Sequence, residues 1–489
     1  MNTTHRSWFL RENLALLTDF YELTMMAGHW KDGRTEQIVS FDYFFRSLPQ
    51  NTAYAVAAGL NDFLNYLEHL RFTDDDLAYL RSLKMFDEAF LEYLRGFTPR
   101  FTVRAVPEGA FVFPNEPVIQ VEGPILEVQL VETALLNMVN FQTLIATKAA
   151  RVCLAAENDP VMEFGLRRAH GPDGGVSASR AAYIGGCAST SNVLAGKVHD
   201  IPVSGTHAHS WVMSFPSELE AFRVFARLYP ERCVLLVDTY DPVKSGIPNA
   251  VQVFREMRDQ GQNVRPAVRL DSGDLAKLSK ICHSMMLQAG LPEPLIVASN
   301  DLNEDLIADL KRQGARINAW GVGTQLVTAY DAPALPGVYK LVAIQENGAW
   351  QPRMKVTSNI EKATDPGRKN LVRYYDADGQ PLGDVLYLES ETWPESGTIE
   401  GRAQKHPHAG RRLENAASAR PLLTTVFEQG RRTHPAPSTR TIREEALAQQ
   451  RSLPEEYKRL RNPEIYKVLL SRQLGEMKDH MLINPEASA

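Results

Sequence analysis

Cysteine is scarce in this chain. Only Cys153, Cys187, Cys233 and Cys282 occur in 489 residues, and no two are spaced as C-x-x-C. That excludes a disulfide framework and the common cysteine-based zinc and redox motifs, and it fits reduced thiols in a cytoplasmic chain. No apolar run reaches the roughly 18 residues of a membrane span. No secretory h-region is read at the N-terminus, where Arg6, Arg11 and Glu12 bracket only Trp8-Phe9-Leu10. Positive charge is not in excess. With 53 Lys and Arg against 59 Asp and Glu, the net charge is −6, which argues against a nucleic-acid partner. There is no low-complexity tract and no internal repeat beyond an alternation of strand-like and helix-like segments.

The 489 residues are too many for one ordinary domain, and a 44% hydrophobic content can fill more than one core. The first third mixes types. Leu14 to Trp30 reads as a helix with Asp19 as its cap, Phe41 to Arg46 as a strand, and Tyr54 to Leu70 as a helix. Phe101 to Val121 reads as short strands broken by Pro107, Pro114 and Pro117. From about Val139 the pattern changes. Apolar strand-like runs start near Val161, Pro202, Val234, Pro266, Leu295, Ile317 and Val338. Helical stretches fill most gaps: Ser217–Leu228, Asn249–Gln260, Leu275–Gln288 and Asn303–Gln313. Such spacing implies βαβ units and a parallel sheet.

The polar residues cluster where these runs end: Arg167 and Arg168, Thr206 to His209, Asp238, Arg269 to Asp274, Ser299 to Asp301, and Gly321 to Thr324. In parallel α/β folds the site forms at the carboxyl ends of strands. Six such ends in a row favour a barrel over an open sheet, which would leave several of them outside its crevice. The expected fold class is therefore α/β. An α+β lobe is expected over residues 1–135, an irregular α/β barrel carrying the site over 136–345, and a C-terminal extension over 346–489 that packs partly on the lobe. In that last region Gly401–Arg412 and Arg431–Thr441 read as polar, proline-containing segments. Arg443–Arg459 and Ile465–Lys478 read as amphipathic helices.

The segment Glu163 to Phe215 is the densest in chemistry. It brings arginines, a loop rich in glycine and serine, and Gly205-Thr206-His207-Ala208-His209-Ser210 into one stretch. Guanidinium forks, free backbone N–H groups and a titratable imidazole suit a heavily phosphorylated ligand. Gly321-Val322-Gly323-Thr324 follows a strand, where glycines let N–H groups approach a phosphate; the alternative is a plain tight turn. In Arg269-Leu270-Asp271-Ser272-Gly273-Asp274, one carboxylate can hold ribose hydroxyls and another Mg²⁺ on a pyrophosphate. Asp274 or Ser272 also suits capping the helix that starts at Leu275. Val237-Asp238-Thr239-Tyr240-Asp241 lacks the Thr-Gly-x-Thr loop that would make it a phosphoribosyl motif, so Asp238 is only a candidate carboxylate. His207 and His209 lack a third nearby metal ligand, and no metal-holding residue is assigned. His406 and His408 read as solvated.

Taken in order, Thr18 to Met25, Phe41 to Arg46, Glu163 to His170, Ser189 to Gly196, Gly205 to Ser210, Arg269 to Leu275, Ser299 to Asn303, Gly321 to Thr324 and Tyr339-Lys340-Leu341 resemble the nicotinate phosphoribosyltransferase family. The resemblance covers most of residues 14 to 360. It implies an irregular barrel of the type II phosphoribosyltransferase kind. It also implies a ligase-type transfer in which nicotinate displaces pyrophosphate from phosphoribosyl pyrophosphate, with Mg²⁺ present. ATP hydrolysis would be coupled through a phosphohistidine, and the product would be nicotinate mononucleotide for NAD synthesis. The resemblance further implies a homodimer with shared active sites. His209 matches the phosphorylated residue, with His207 the weaker candidate. Arg269, Asp271 and Asp301 match residues around the ribose and the phosphohistidine. Phe164 and Tyr21 match the sandwich on the pyridine ring, Tyr21 coming from the partner chain. Arg167 would sit by the base carboxylate. Ser189 and Thr206 would line the substrate site, and Gly323 and Thr324 would hold the 5′-phosphate. Arg46, Lys340 and Lys355 would contact pyrophosphate or ATP.

Two rivals remain. Nicotinamide phosphoribosyltransferase carries an acidic residue near the base in the segment matching Gly185 to Asn192. Here that segment, Gly185-Gly186-Cys187-Ala188-Ser189-Thr190-Ser191-Asn192, has no carboxylate, which favours the acid as substrate. A barrel that binds sugar phosphates without turnover would not need His209, Arg269 and Asp271 together.

Overall fold

The computed structural model describes residues 14–49, 51–262, 264–355, 363–404 and 406–484. The leader reading around Trp8-Phe9-Leu10 and the side chains of His406 and His408 lie outside these. Among the described residues no helix is long and apolar enough to cross a membrane. All four cysteines are free. Burial pushes the thiols of Cys233 and Cys282 up to about 12.

The chain divides into two compact units. One comprises the described residues up to Thr147 together with those from Ala334 onward; the other is Lys148–Pro333. The first unit holds two large sheets. A seven-stranded sheet runs in the order Ala349–Pro352, Gly337–Glu346, Ile38–Phe45, Ile119–Pro124, Thr102–Ala105, Thr424–Glu428, Arg431–Arg432. A six-stranded sheet runs His406–Ala416, Gly397–Ala403, Val468–Leu470, Pro381–Leu388, Lys369–Tyr375, Ser418–Pro421. C-terminal residues thus complete an N-terminal sheet. Lys369, almost wholly buried, seals the join with an ion pair of 2.9 Å to buried Asp42. Arg373 and Asp384 form a second buried pair at 2.6 Å, to which Tyr466 adds a hydrogen bond of 2.9 Å. Such groups are tolerated inside only because each is both paired and hydrogen-bonded.

The second unit holds a six-stranded sheet ordered Ser189–Thr190, Val161–Glu163, Ala319–Val322, Leu295–Ala298, Ala267–Leu270, Val234–Leu236. Every pairing in it is parallel. No pairing closes its two end strands among the described residues. Short strands rich in Val, Ile, Leu and Trp fit burial on both faces, and Val268, Ile296 and Trp320 are fully covered. The intervening helices start where polar caps follow the strand ends. Ser217 accepts from Glu220 N–H, Asp274 from Lys277 N–H and Asn303 from Leu306 N–H. The Leu275–Gln288 helix has the expected bounds, and Asp274 is its cap.

Several expected elements differ. The run near Pro202 makes only one bridge, Thr190 to Val203. The run near Val338 belongs to the first unit: Gly337–Glu346 pairs antiparallel with Ile38–Phe45. Between it and the last parallel strand the chain forms only the four-residue helix Thr324–Val327. Tyr339 then stacks on Phe41 at 4.8 Å. The first helix begins at Phe20, and Asp19 stands at its N-cap without a side-chain capping bond. The second begins only at Leu60. Gly401–Arg412 lies within a hairpin, Gly397–Ala403 against His406–Ala416. Ile465–Lys478 splits into the strand Val468–Leu470 and the helix Arg472–Ile483, capped by Ser471.

Candidate active site

The carboxyl ends of the parallel strands bring together His209, Asp238, Arg269, Asp271 and Ser299. Arg269 leaves its strand as a three-way connector. Its Nε donates to Ser299 Oγ at 2.8 Å, one terminal nitrogen to Thr206 Oγ1 at 2.8 Å and the other to Asp271 Oδ1 at 2.9 Å. Ser299 also donates to Asp271 Oδ1. Burial pushes the Asp271 carboxyl up. The bonds from Ser299 and Arg269, with the positive charge beside it, outweigh that and hold it below its usual range. Asp271 is therefore an ionised acceptor at neutral pH.

Asp238 is buried, and all its acceptors point at the site. Oδ2 accepts from Asp271 N–H and from Ser272 Oγ, both at 2.7 Å, and Oδ1 lies 3.3 Å from His209 Nε2. Asp238 was only one candidate among the strand-end carboxylates; its contacts make it the hub. His209 opens the short helix His209–Met213 and is about 40% exposed, so one face of its ring is open to a ligand.

His207 is a different kind of residue. It is buried, its Nε2 accepts from Leu236 N–H at 3.2 Å, and its ring packs on Phe225 at 4.7 Å. Burial holds its pKa down at about 4; the bond to Ala208 opposes this, and Arg269 and His209 add to it. It is a neutral, structural histidine.

Phe164 follows the Val161–Glu163 strand, and its N–H donates to Val322 O at 2.8 Å. The Arg269 guanidinium lies 5.9 Å from the centre of its ring. Glu163 is fully buried and accepts from Ser179 Oγ at 2.9 Å, from Thr190 Oγ1 at 2.6 Å and from Gly165 N–H. Sequence reasoning assigned it no role, although a carboxylate at the end of an apolar strand is itself a signal. Arg167 is exposed on the turn Leu166–Arg168. Ser189 is buried, and its hydroxyl lies 2.5 Å from that of Ser204. Gly323 caps the Thr324–Val327 helix, its carbonyl accepting from Leu326 and Val327 at 3.1 Å. Asn300 and Asp301 both adopt positive φ, 81° and 28°, which turns the chain sharply out of its strand and leaves Asp301 exposed.

The remaining expected residues lie on the first unit. Tyr21 is 46% exposed on the first helix, and burial together with a hydrogen bond to Glu22 raises its phenol pKa. Arg46 lies 6.0 Å from the Phe44 ring centre. Lys340 is 3.8 Å from Glu132, and Lys355 is exposed. Ten of the fourteen expected residues thus belong to Lys148–Pro333, and these four do not.

An arginine fork, an ionised carboxylate and an imidazole beside a buried carboxylate meet at the ends of parallel strands, an arrangement typical of α/β enzymes. Residues 16–140 match the nicotinate phosphoribosyltransferase (NAPRTase) N-terminal domain, and residues 368–478 match the nicotinate phosphoribosyltransferase C-terminal domain. A nicotinate phosphoribosyltransferase of Bacillus subtilis is 45% identical, covering 96% of this chain and 95% of its own. The Homo sapiens nicotinate phosphoribosyltransferase is 38% identical over 94% of this chain and 95% of its own. The crystal structure of human nicotinic acid phosphoribosyltransferase superposes with a TM-score of 0.83 at 35% identity, over 95% of this chain and 99% of that one. The chain belongs to the nicotinate phosphoribosyltransferase family and is an enzyme.

Proposed function

We propose that this enzyme transfers a phosphoribosyl group from phosphoribosyl pyrophosphate to nicotinate for NAD synthesis. The pyridine nitrogen attacks C1 of the ribose, and the bond from C1 to the pyrophosphate oxygen breaks. Nicotinate mononucleotide and pyrophosphate leave. Oxocarbenium character builds at C1, so catalysis needs positioned groups and charge stabilisation on the leaving group more than a protein nucleophile. The observation that carries this reading is the joined network Asp238–Asp271–Arg269–Ser299 with His209 at its edge. The fold behind it is the irregular α/β barrel of type II phosphoribosyltransferases, with the N-terminal lobe and C-terminal extension attached. The relatives' names support nicotinate as the base.

ATP is coupled through His209. Its Nε2, facing Asp238, carries the proton, which leaves the Nδ1 lone pair to attack the γ-phosphorus while the β–γ oxygen bond breaks and ADP departs. Water later releases phosphate from the phosphohistidine. Among the described residues no group of three or more His, Cys, Asp or Glu is arranged to hold a metal. Asp271 and Asp301 are the strand-end carboxylates that would hold a Mg²⁺, which would supply charge neutralisation on the leaving group. Arg46, Lys340 and Lys355 serve phosphate binding, Gly323 and Thr324 the 5′-phosphate, and Arg167 the base carboxylate. Tyr21 reaches the base from a second copy of the chain in a homodimer. Pyrophosphate release from phosphoribosyl pyrophosphate, measured with nicotinate and nicotinamide in parallel, tests the proposal.

A further inference from the structure

Gly321 sits in the strand Ala319–Val322, where all four residues are buried. It heads the Gly-x-Gly sequence that suggests a phosphate loop. Its neighbours give it another task. A Cβ built on Gly321 would stand 2.7 Å from Cδ2 and 2.8 Å from Cε2 of the Phe164 ring, and 3.4 Å from Ser299 Cβ. The first two distances are far inside van der Waals contact, so the ring lies directly on the glycine backbone. The rest of Phe164 is fixed as well. Its N–H is bonded to Val322 O, and the preceding Glu163 carboxylate is locked by Ser179 and Thr190. After it comes Gly165, where a Cβ would stand 2.5 Å from Val327 Cβ. The backbone on either side is held by these contacts, so the Phe164 ring is the part that must give way to a Cβ at 321.

We infer that Gly321 is a specificity-setting residue that fixes the depth of the Phe164 ring, and so the width of the slot in which an aromatic base stacks. This rests on the proposal that Phe164 is one face of that slot. The two glycines of Gly321-Val322-Gly323 then have separate duties. Gly321 seats the ring, and Gly323 opens the short helix assigned to the 5′-phosphate. An added methyl at 321 pushes the ring outward by about the thickness it occupies, which narrows the slot while leaving the phosphate side in place.

The test is a cycle of Gly321→Ala, Phe164→Leu and the double variant, read as KM for nicotinate, KM for phosphoribosyl pyrophosphate, and ATP-dependent phosphoenzyme formation. Gly321→Ala is expected to raise the nicotinate KM about 10-fold or more, the size of a methylene misfit in a shaped pocket. The other two readouts should shift less than about 2-fold, within the scatter for independent sites. The double variant should be no worse than Phe164→Leu alone, because a leucine can yield where a ring cannot. If Gly321→Ala fails to fold but the double variant folds, the ring is the clashing partner and the inference stands. Failure of both to fold, equal losses in all three readouts, or additive losses in the double variant would overturn it. If Phe164→Leu leaves the nicotinate KM unchanged, the stacking role of Phe164 falls and the inference falls with it. If Phe164→Leu raises that KM while Gly321→Ala does not, only the inference about Gly321 falls.

Discussion

His209 Nε2 lies 3.3 Å from Asp238 Oδ1, and the other oxygen of the same carboxylate takes Asp271 N–H and Ser272 Oγ. One buried carboxylate therefore sets both the imidazole tautomer and the position of the neighbouring aspartate. Asp238→Asn weakens that hold by offering an amide where an anion stood. Phosphoenzyme formation from ATP should slow by about 10-fold or more, equivalent to roughly 1.4 kcal/mol of barrier. Rapid-quench labelling checks this; an unchanged rate would remove Asp238 from the account.

His209→Ala should abolish stimulation by ATP and all acid-labile phosphoenzyme, while slow ATP-independent product formation persists. His207→Ala should keep the phosphoenzyme. Its cost is structural, because Leu236 N–H loses its acceptor inside the protein, a penalty of roughly 1–3 kcal/mol. Acid-labile label and a denaturation curve on each variant separate the two roles. Label that survives in His209→Ala and disappears in His207→Ala would reverse them.

Glu22 supplies a pH signature in the first unit. Burial, opposed by hydrogen bonds from Gln129 and Tyr21 and reinforced by the negative charges of Glu132 and Asp19, raises its carboxyl to about 7. Because the folded pKa is raised, the protonated form is favoured by folding. The associated stability is present at low pH and is lost as pH rises from about 4.5 to about 7. Glu22→Gln removes that loss. Thermal unfolding should show the variant gaining on the parent protein across this window and holding its advantage above it. A constant difference at all pH values would show that Glu22 does not titrate there.

Tyr21 lies on the first unit, outside the segment that carries His209. If a second copy of the chain supplies it, mixing Tyr21→Ala and His209→Ala proteins, neither of which alone is stimulated by ATP, should regain ATP-stimulated activity through hybrid dimers with one intact site. Sedimentation at working concentration should show a dimer. A fully active monomer would exclude shared sites.

The parallel sheet was legible because its strands are short apolar runs that each end in polar chemistry. Asp274 marked a helix start as a candidate cap, with a side-chain bond that local sequence specifies. The strand at Val338 looked like one more member of that series, because an apolar run says nothing of its partner. Its pairing with Ile38–Phe45 bridges some three hundred residues of chain, which no local pattern encodes. Gly401–Arg412 reads only as a polar, proline-containing segment, because a hairpin strand with few apolar residues carries little periodic signal. Within the site, His209, Arg269 and Asp271 stood out by residue type. Glu163 did not, since its buried bonds to Ser179, Thr190 and Gly165 appear only once the neighbours are placed. Gly321 was visible only as a phosphate-loop glycine, since a missing side chain reveals what it makes room for only once the neighbours are placed.

The most direct test of the account is the ratio of kcat/KM for nicotinate to that for nicotinamide, in the parent protein and in Ala188→Asp. The parent should prefer nicotinate by at least about 100-fold, roughly 2.7 kcal/mol, as a charge-assisted bond between Arg167 and the base carboxylate supplies. Ala188→Asp should lower that ratio by repelling the carboxylate. Equal efficiencies in the parent, or a preference for the amide, would contradict the assignment of nicotinate as the base. Absence of pyrophosphate release with either base would contradict phosphoribosyl transfer itself.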